Sequence, residues 1–188
     1  MSMVIAIDYD GTIGNTNQEK ANWILAHLGR IVSPWDCDRT NCVPIIGLEA
    51  YEAMGEDVFD RERTIQANEV PGALDALRRL AIMADLFIVT ARAEPRLSYA
   101  REWLASKGVL PCIKDIRSSK GTTKAAICAE IGADMLIDDD ARHVNGIEAN
   151  HLCKILLQIG RREKPELAPG VIFCGSWQEV LAIVGKIG

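Results

Sequence analysis

No apolar run in this chain of 188 residues approaches the roughly 20 that span a bilayer. There is also no basic segment followed by an apolar signal core; Met1 to Ile7 reads instead as a first strand. Basic charge is not in excess: the net charge is -5, which argues against a non-specific nucleic-acid surface. The one local basic run, Arg161-Arg162-Glu163-Lys164, is interrupted by an acid and reads as solvated surface. Six cysteines, at 37, 42, 112, 128, 153 and 174, include no C-x-x-C pair, so a zinc ribbon or a dithiol redox motif is unsupported. Cys112, Cys128, Cys153 and Cys174 stand in or beside apolar segments and read as small core residues. Cys37 and Cys42 flank a loop with Asp36 and Asp38, His27 lying farther off, a set that reads as packing before it reads as metal ligation. Without a secretory signal, reduced thiols in a cytoplasm are the default. A glycine-rich dinucleotide fingerprint, a P-loop lysine pattern, internal repeats and low-complexity segments are all missing.

What is there is an ordinary globular composition, 48% hydrophobic and 25% charged, sized for one domain with room for an insertion. After a first strand, Asn17 to Gly29 carries Ala21, Ile24, Leu25 and Leu28 at helical spacing, and Gly29 can stop the helix. Pro34 and Pro44 punctuate a loop, and Leu48 to Met54 and Val58 to Ala67 read as short helices. No strand is evident across residues 15–68, which read as a helical insertion into a body formed by residues 1–14 and 69–188. From Pro71, which suits the first position of a helix, the pattern becomes regular. Leu74, Leu77 and Leu80 share a helix face; Leu86 to Thr90 is a strand; Arg96 to Lys107 is a helix with Leu97, Ala100, Trp103 and Leu104 inward. Cys112 to Ile116, Met135 to Ile137, Leu152 to Leu157 and Val171 to Phe173 read as further strands. Helices are expected over Thr123 to Ile131, just after the Met135 strand, and at the end, with Val180, Leu181, Val184 and Ile187 inward. Strands alternating with helices predict an α/β fold: a parallel, doubly wound, Rossmann-like sheet covered on both faces.

In such a sheet ligands bind outside the carboxyl ends of the strands. The first strand, Val4 to Ile7, runs straight into Asp8-Tyr9-Asp10-Gly11-Thr12. Residues two apart in a strand point to one face, so Asp8 and Asp10 could converge on a cation or share a proton, although Asp and Gly are also ordinary turn residues. The Leu86 strand ends in Thr90-Ala91-Arg92, the Met135 strand in Asp138-Asp139-Asp140, and Lys124 opens the helix between them. One sheet edge therefore collects carboxylates, a hydroxyl and an ammonium. Carboxylate oxygens suit magnesium. A carboxylate can be a phosphoryl acceptor or a proton carrier. A hydroxyl, backbone N–H groups and an ammonium can stabilise a transferring phosphoryl group. Taken singly, Thr90 reads equally as a helix cap and Lys124 as a solvated helix start.

The order Asp8-Tyr9-Asp10-Gly11-Thr12, Ile88-Val89-Thr90-Ala91-Arg92, Lys124, Leu136-Ile137-Asp138-Asp139 resembles the haloacid dehalogenase superfamily of phosphatases, over the whole chain. The helical insertion after the first motif and the late Ser176-Trp177 resemble its deoxyribonucleotidase-like branch. The resemblance implies that Asp8 is nucleophile and magnesium ligand, and that Asp10 is acid/base and offers its backbone carbonyl to the metal. It implies that Thr90, Ala91 and Lys124 hold the phosphate, with Thr12 in support. Asp138 would bind magnesium, and Asp139 would act through water or orient Lys124. Lys120, before a glycine, is the alternative to Lys124. Arg92 contacts phosphate or ties down its loop; His143, four residues after Asp139, could face the site but reads first as a surface helix position; Asp140 reads as a helix cap. Residues 15–68 would be the cap that selects the substrate, with Trp23, Trp35, Tyr51 and Phe59 as packing or as faces for a nucleobase. The implied partner is a small phosphomonoester, such as a nucleotide, a sugar phosphate or a nucleic-acid end. A silent phospho-ligand-binding module and transfer to another acceptor are the rival readings; dehalogenation would not need Asp10.

Overall fold

The computed structural model describes residues 2–149, 151–161 and 163–187; Arg162, within the basic run noted above, lies outside them, as does the side chain of Ile187. Six strands form one sheet: β1 (Met3–Ile7), β2 (Ala84–Thr90), β3 (Ile113–Ser118), β4 (Met135–Asp138), β5 (Cys153–Leu157) and β6 (Val171–Cys174). Every pairing is parallel and the order is β3-β2-β1-β4-β5-β6. The chain winds outward from β1 through β2 to β3, then returns to β4 on the other side of β1. The order of winding thus switches between β1 and β4, and the carboxyl ends of these two strands carry the two aspartate pairs.

Both faces of the sheet are covered, which is why the strands read as continuous apolar runs. On one face Ile5, Ile7, Leu86 and Ile88 pack under α5 (Ala73–Leu80), α6 (Arg96–Ser106) and α9 (Trp177–Ile187), around Trp103 and Trp177. On the other, Ala6, Val89, Leu136 and Leu156 pack under α7 (Lys124–Glu130) and α8 (Ala141–Asn145). Fully burying one such aliphatic side chain stabilises by about 1.5–3 kcal/mol. Trp103 also satisfies its own indole, donating Nε1–H to the carbonyl of Ala67 at 2.9 Å.

Between β1 and α5 lie four helices: α1 (Thr16–Leu28), α2 (Arg39–Ile46), α3 (Leu48–Val58) and α4 (Arg61–Gln66). They enclose a separate apolar cluster of Ala21, Ile24, Val32, Cys37, Cys42, Met54 and Val58. Three local expectations are corrected. The stretch read as a proline-punctuated loop contains α2, whose N-terminus is capped by Asp38, its carboxylate accepting from the amides of Thr40 and Asn41. Pro71 does not open a helix: the turn ends at Gly72, whose φ of 85° lies in the left-handed region, and α5 begins at Ala73. In α1 Leu25 and Leu28 face solvent, while Thr16, Asn17 and Lys20 are buried beside Ala21 and Ile24. Among the described residues no helix is long and apolar enough to cross a membrane.

Candidate active site

The turn after β1 is built by hydrogen bonds that leave its two carboxylates pointing apart. The amides of Ile13 and Gly14 both donate to the Tyr9 carbonyl, and Gly11 takes φ 78°. Space at Gly11 is tight as well: a Cβ there would stand 2.3 Å from both Asn17 Nδ2 and Asp139 Oδ2. Trp177, at the start of α9, fixes the same turn by donating its indole N–H to the Thr12 carbonyl at 3.3 Å.

Asp8 is buried over the switch between β1 and β4. Lys124, also buried, places Nζ 2.9 Å from Asp8 Oδ1 and 2.6 Å from Asp138 Oδ2. Burial pushes the Asp8 carboxyl up to about 6, against the opposing pull of Lys124. Burial acts on Asp138 in the same sense, but the charge of Lys124 and the His143 contact outweigh it and hold this carboxyl down at about 2. Lys124 itself is held charged well above the usual lysine range, since the two carboxylates outweigh its desolvation. Asp139 stands beside them, accepting from Asn17 Nδ2 at 2.6 Å and, at 3.4 Å, from Thr12 Oγ1. Its carboxyl is raised well above the ordinary range by burial and by the neighbouring charges of Asp8 and Asp138. Carboxylate oxygens of Asp8, Asp138 and Asp139 all lie within 4.8 Å of one another.

Asp10 turns away from this group. Arg92 donates Nε–H to both of its oxygens, at 3.2 and 2.9 Å, and Nη2–H to Oδ1 at 2.8 Å, while Thr16 Oγ1 donates at 2.7 Å. Burial raises this carboxyl, but Arg92 outweighs it and the net shift is downward. Arg92 also donates to Thr64 Oγ1 at 2.9 Å and lies 4.8 and 5.1 Å from the ring centres of Tyr9 and Phe59. The guanidinium therefore joins the end of β2 to α4 and to Asp10. This agrees with the reading of Arg92 as a residue that ties down the loop after Thr90.

A cavity of about 390 Å³ opens over these groups. Asp8, Asp10, Ala91, Lys124 and Asp139 line it, as do Asn17 and Lys20 from α1. Thr90 is fully buried one residue back, its Oγ1 accepting the Arg92 amide at 3.2 Å. Lys120 lies on a neighbouring cavity, with Arg92 and Tyr99. Lys124 donates to Asp138 and forms an ion pair with Asp8, which together orient it. His143 takes the site-facing one of its two readings while staying partly exposed: Nδ1 lies 3.2 Å from both oxygens of Asp138 and the residue lines the cavity. Asp140 caps α8 by accepting the Arg142 amide. Trp35, Tyr51 and Phe59 line the cavity, whereas Trp23 stacks on His27 in a separate groove. Thr16, Asn17, Lys20 and Gln158 were not anticipated. The signal for the first three was present: Asn15 to Glu19 is polar where the helix begins, and the apolar spacing starts only at Ala21.

A parallel sheet in this order is also the fold of solved haloacid dehalogenase-like hydrolases. Solved structures of that superfamily match the chain over almost its whole length. A haloacid dehalogenase-like hydrolase from Streptococcus pneumoniae has TM-score 0.66 at 18% identity, over 97% of this chain and 98% of the other. The superfamily protein YfnB from Bacillus subtilis, solved bound to magnesium, has TM-score 0.65 at 15% identity, over 97% and 98%. A family hydrolase from Deinococcus radiodurans, solved with phosphate and sodium, has TM-score 0.61 at 15% identity, over 97% and 96%. At these identities the likeness is one of fold. No family model matches the sequence, and no curated protein does.

Proposed function

We propose that this chain is a magnesium-dependent phosphatase that hydrolyses a small phosphomonoester through an aspartyl-phosphate on Asp8. The observation that carries this reading is the group of buried Asp8 and Asp138 and half-buried Asp139 around Lys124, opening into a cavity at the switch point of the sheet. The donor set suits a hard cation: it offers oxygen alone, and Asp8 Oδ1, although near Lys124, is a buried oxygen that no donor points at. Asp8 and Asp138 would hold the ion, with Asp139 beside them and the Asp10 carbonyl completing the set. When bound, magnesium supplies positive charge that offsets carboxylate repulsion and polarises the phosphoryl oxygens.

In the first step Asp8 attacks phosphorus, the bond to the ester oxygen breaks, and Asp10 gives its proton to the leaving alkoxide. In the second, water attacks phosphorus while Asp10 takes a proton from it, the bond between phosphorus and the Asp8 oxygen breaks, and inorganic phosphate leaves with the Asp8 carboxylate restored. Lys124 and the Ala91 amide steady the phosphoryl oxygens. The carboxylate state that Arg92 favours in Asp10 suits the second step. The first step needs Asp10 to leave the guanidinium and carry a proton. We read residues 15–68 as a cap, and Arg92, bonded to Thr64 within it, couples cap movement to Asp10. Trp35, Tyr51 and Phe59 in the cavity wall support a nucleotide as the substrate class, since an aromatic wall suits a base.

The test is phosphate release from a panel of nucleotides, sugar phosphates and a generic aryl phosphate, with and without magnesium. Magnesium-dependent release is expected, and Asp8→Asn should lower it by on the order of a thousandfold or more. Substantial magnesium-dependent activity in Asp8→Asn would overturn the assignment, and no preference for nucleotides would overturn the substrate class.

A further inference from the structure

Six basic groups line the cavity, and among the described residues only half of them stand in ion pairs. Lys124 is matched to Asp8 and Asp138, Arg142 to Asp140 and Asp38, and His143 to Asp138. Lys20, Arg39 and Arg161 make no ion pair among the described residues. Lys20 is the informative one. It is only 8% exposed, makes no hydrogen bond among the described residues, and holds its Nζ 5.4 Å from the centre of the Phe59 ring. The stem of Lys20 is buried while its ammonium opens to the cavity without a hydrogen-bonded anion, so a ligand that brings an anion there can pair with it.

Its placement is fixed. Thr16 and Asn17, in the preceding turn of α1, are bonded to Asp10 and Asp139, so Lys20 is held over the same cavity as the reacting carboxylates. On the core side, Gln158 donates to the Asp139 carbonyl at 2.7 Å and accepts from Arg161 Nη1 at 3.0 Å, which holds that guanidinium at the opposite wall.

We infer that Lys20, with Arg161, forms a second anion subsite, and that the substrate is a phosphomonoester whose alcohol portion carries a further negative charge, a carboxylate or a second phosphate. This rests on the phosphatase reading and narrows it: a nucleotide qualifies only if it bears a second phosphate. The competing account is that Lys20 merely offsets the acidic group in general, in which case charge on the far end of the ligand makes no difference.

Binding of stable phosphonates separates these accounts without needing turnover. Calorimetry, with magnesium present, would compare phosphonopropionate, propylenebisphosphonate and propylphosphonate on the native protein, Lys20→Gln and Arg161→Gln. At least one of the doubly anionic ligands should bind at least about tenfold tighter than propylphosphonate, the size of one charge-assisted hydrogen bond. Which one does so distinguishes a carboxylate from a phosphate tail. That preference should fall to about twofold or less in Lys20→Gln, the loss of that one bond. Equal binding of all three ligands by the native protein, or a preference that survives Lys20→Gln, would overturn the subsite and leave the phosphatase reading standing. Failure of every phosphonate to bind would remove both. Should Lys20→Gln not fold, Arg161→Gln, on the core side, carries the same test.

Discussion

Replacing Arg92 by Met keeps most of the side-chain length and removes the guanidinium. Three of its hydrogen bonds go to Asp10 and one to Thr64, and the Arg92 side chain is 4% exposed against 19% for that of Asp10. Removing one partner of a buried ion pair costs about 3–5 kcal/mol, because the other charge stays behind unpaired. The partial exposure of Asp10 lets water reach the stranded carboxylate, so the low end, about 3 kcal/mol, applies. For a domain of this size, each kcal/mol moves Tm by about 2–4 °C, giving a fall of about 6–12 °C. Scanning calorimetry measures it, and a double-mutant cycle with Asp10→Asn apportions it. The double variant should recover about 1–2 kcal/mol relative to the sum of the single variants, since neither charge is then stranded. A Tm drop below about 3 °C, or losses that simply add, would refute the view that this pair ties the end of β2 to the turn after β1.

Gly11→Ala places a Cβ against the Asn17–Asp139 bond at a φ of 78°, so stability should fall by about 1–3 kcal/mol; urea denaturation checks it. Asn17→Ala deletes the donor to Asp139 at 2.6 Å and should cost about 1–2 kcal/mol in the same assay. Cys37 is fully buried, and burial pushes its thiol up to about 12. A raised pKa leaves the reactive thiolate scarce at any lower pH, so iodoacetamide at neutral pH should spare Cys37 in the folded protein and label it in urea, as mass spectrometry of the peptides would show.

The strands were legible because a sheet buried on both faces demands unbroken apolar runs, and the aspartates were legible because they end two of those runs. Strand order was not: Val4 to Ile7 carries nothing that names β2 and β4 as its neighbours. Helix α2 was hidden by Pro44 and by the lack of an apolar stripe, although Asp38 ahead of Thr40 and Asn41 was a cap signal. The inward face of α1 was misread because apolar spacing favours Leu25 and Leu28, whereas the first turn of this helix packs on carboxylates and buries Thr16, Asn17 and Lys20 through polar contacts. The acids that Arg92 and His143 meet were not legible for a related reason. Each finds its acid across the fold or across a tight turn, at Asp10 and Asp138, and no spacing rule connects them.

The central place of β1 has a consequence for how the chain is made. Met3 pairs with Ala84 and Ile5 with Met135, so the strand is synthesised before either of its neighbours. At about 5–20 residues per second, Ala84 follows Met3 by about 4–16 s and Met135 follows Ile5 by about 7–26 s. Until Ala84 is made both edges of Val4 to Ile7 lack their partners, and until Met135 is made one still does, the kind of open edge that recruits other chains. The position that brings Asp8 beside Asp138 thus makes the earliest strand wait longest for its second neighbour, and ties the protein's exposure to aggregation to the pace of translation.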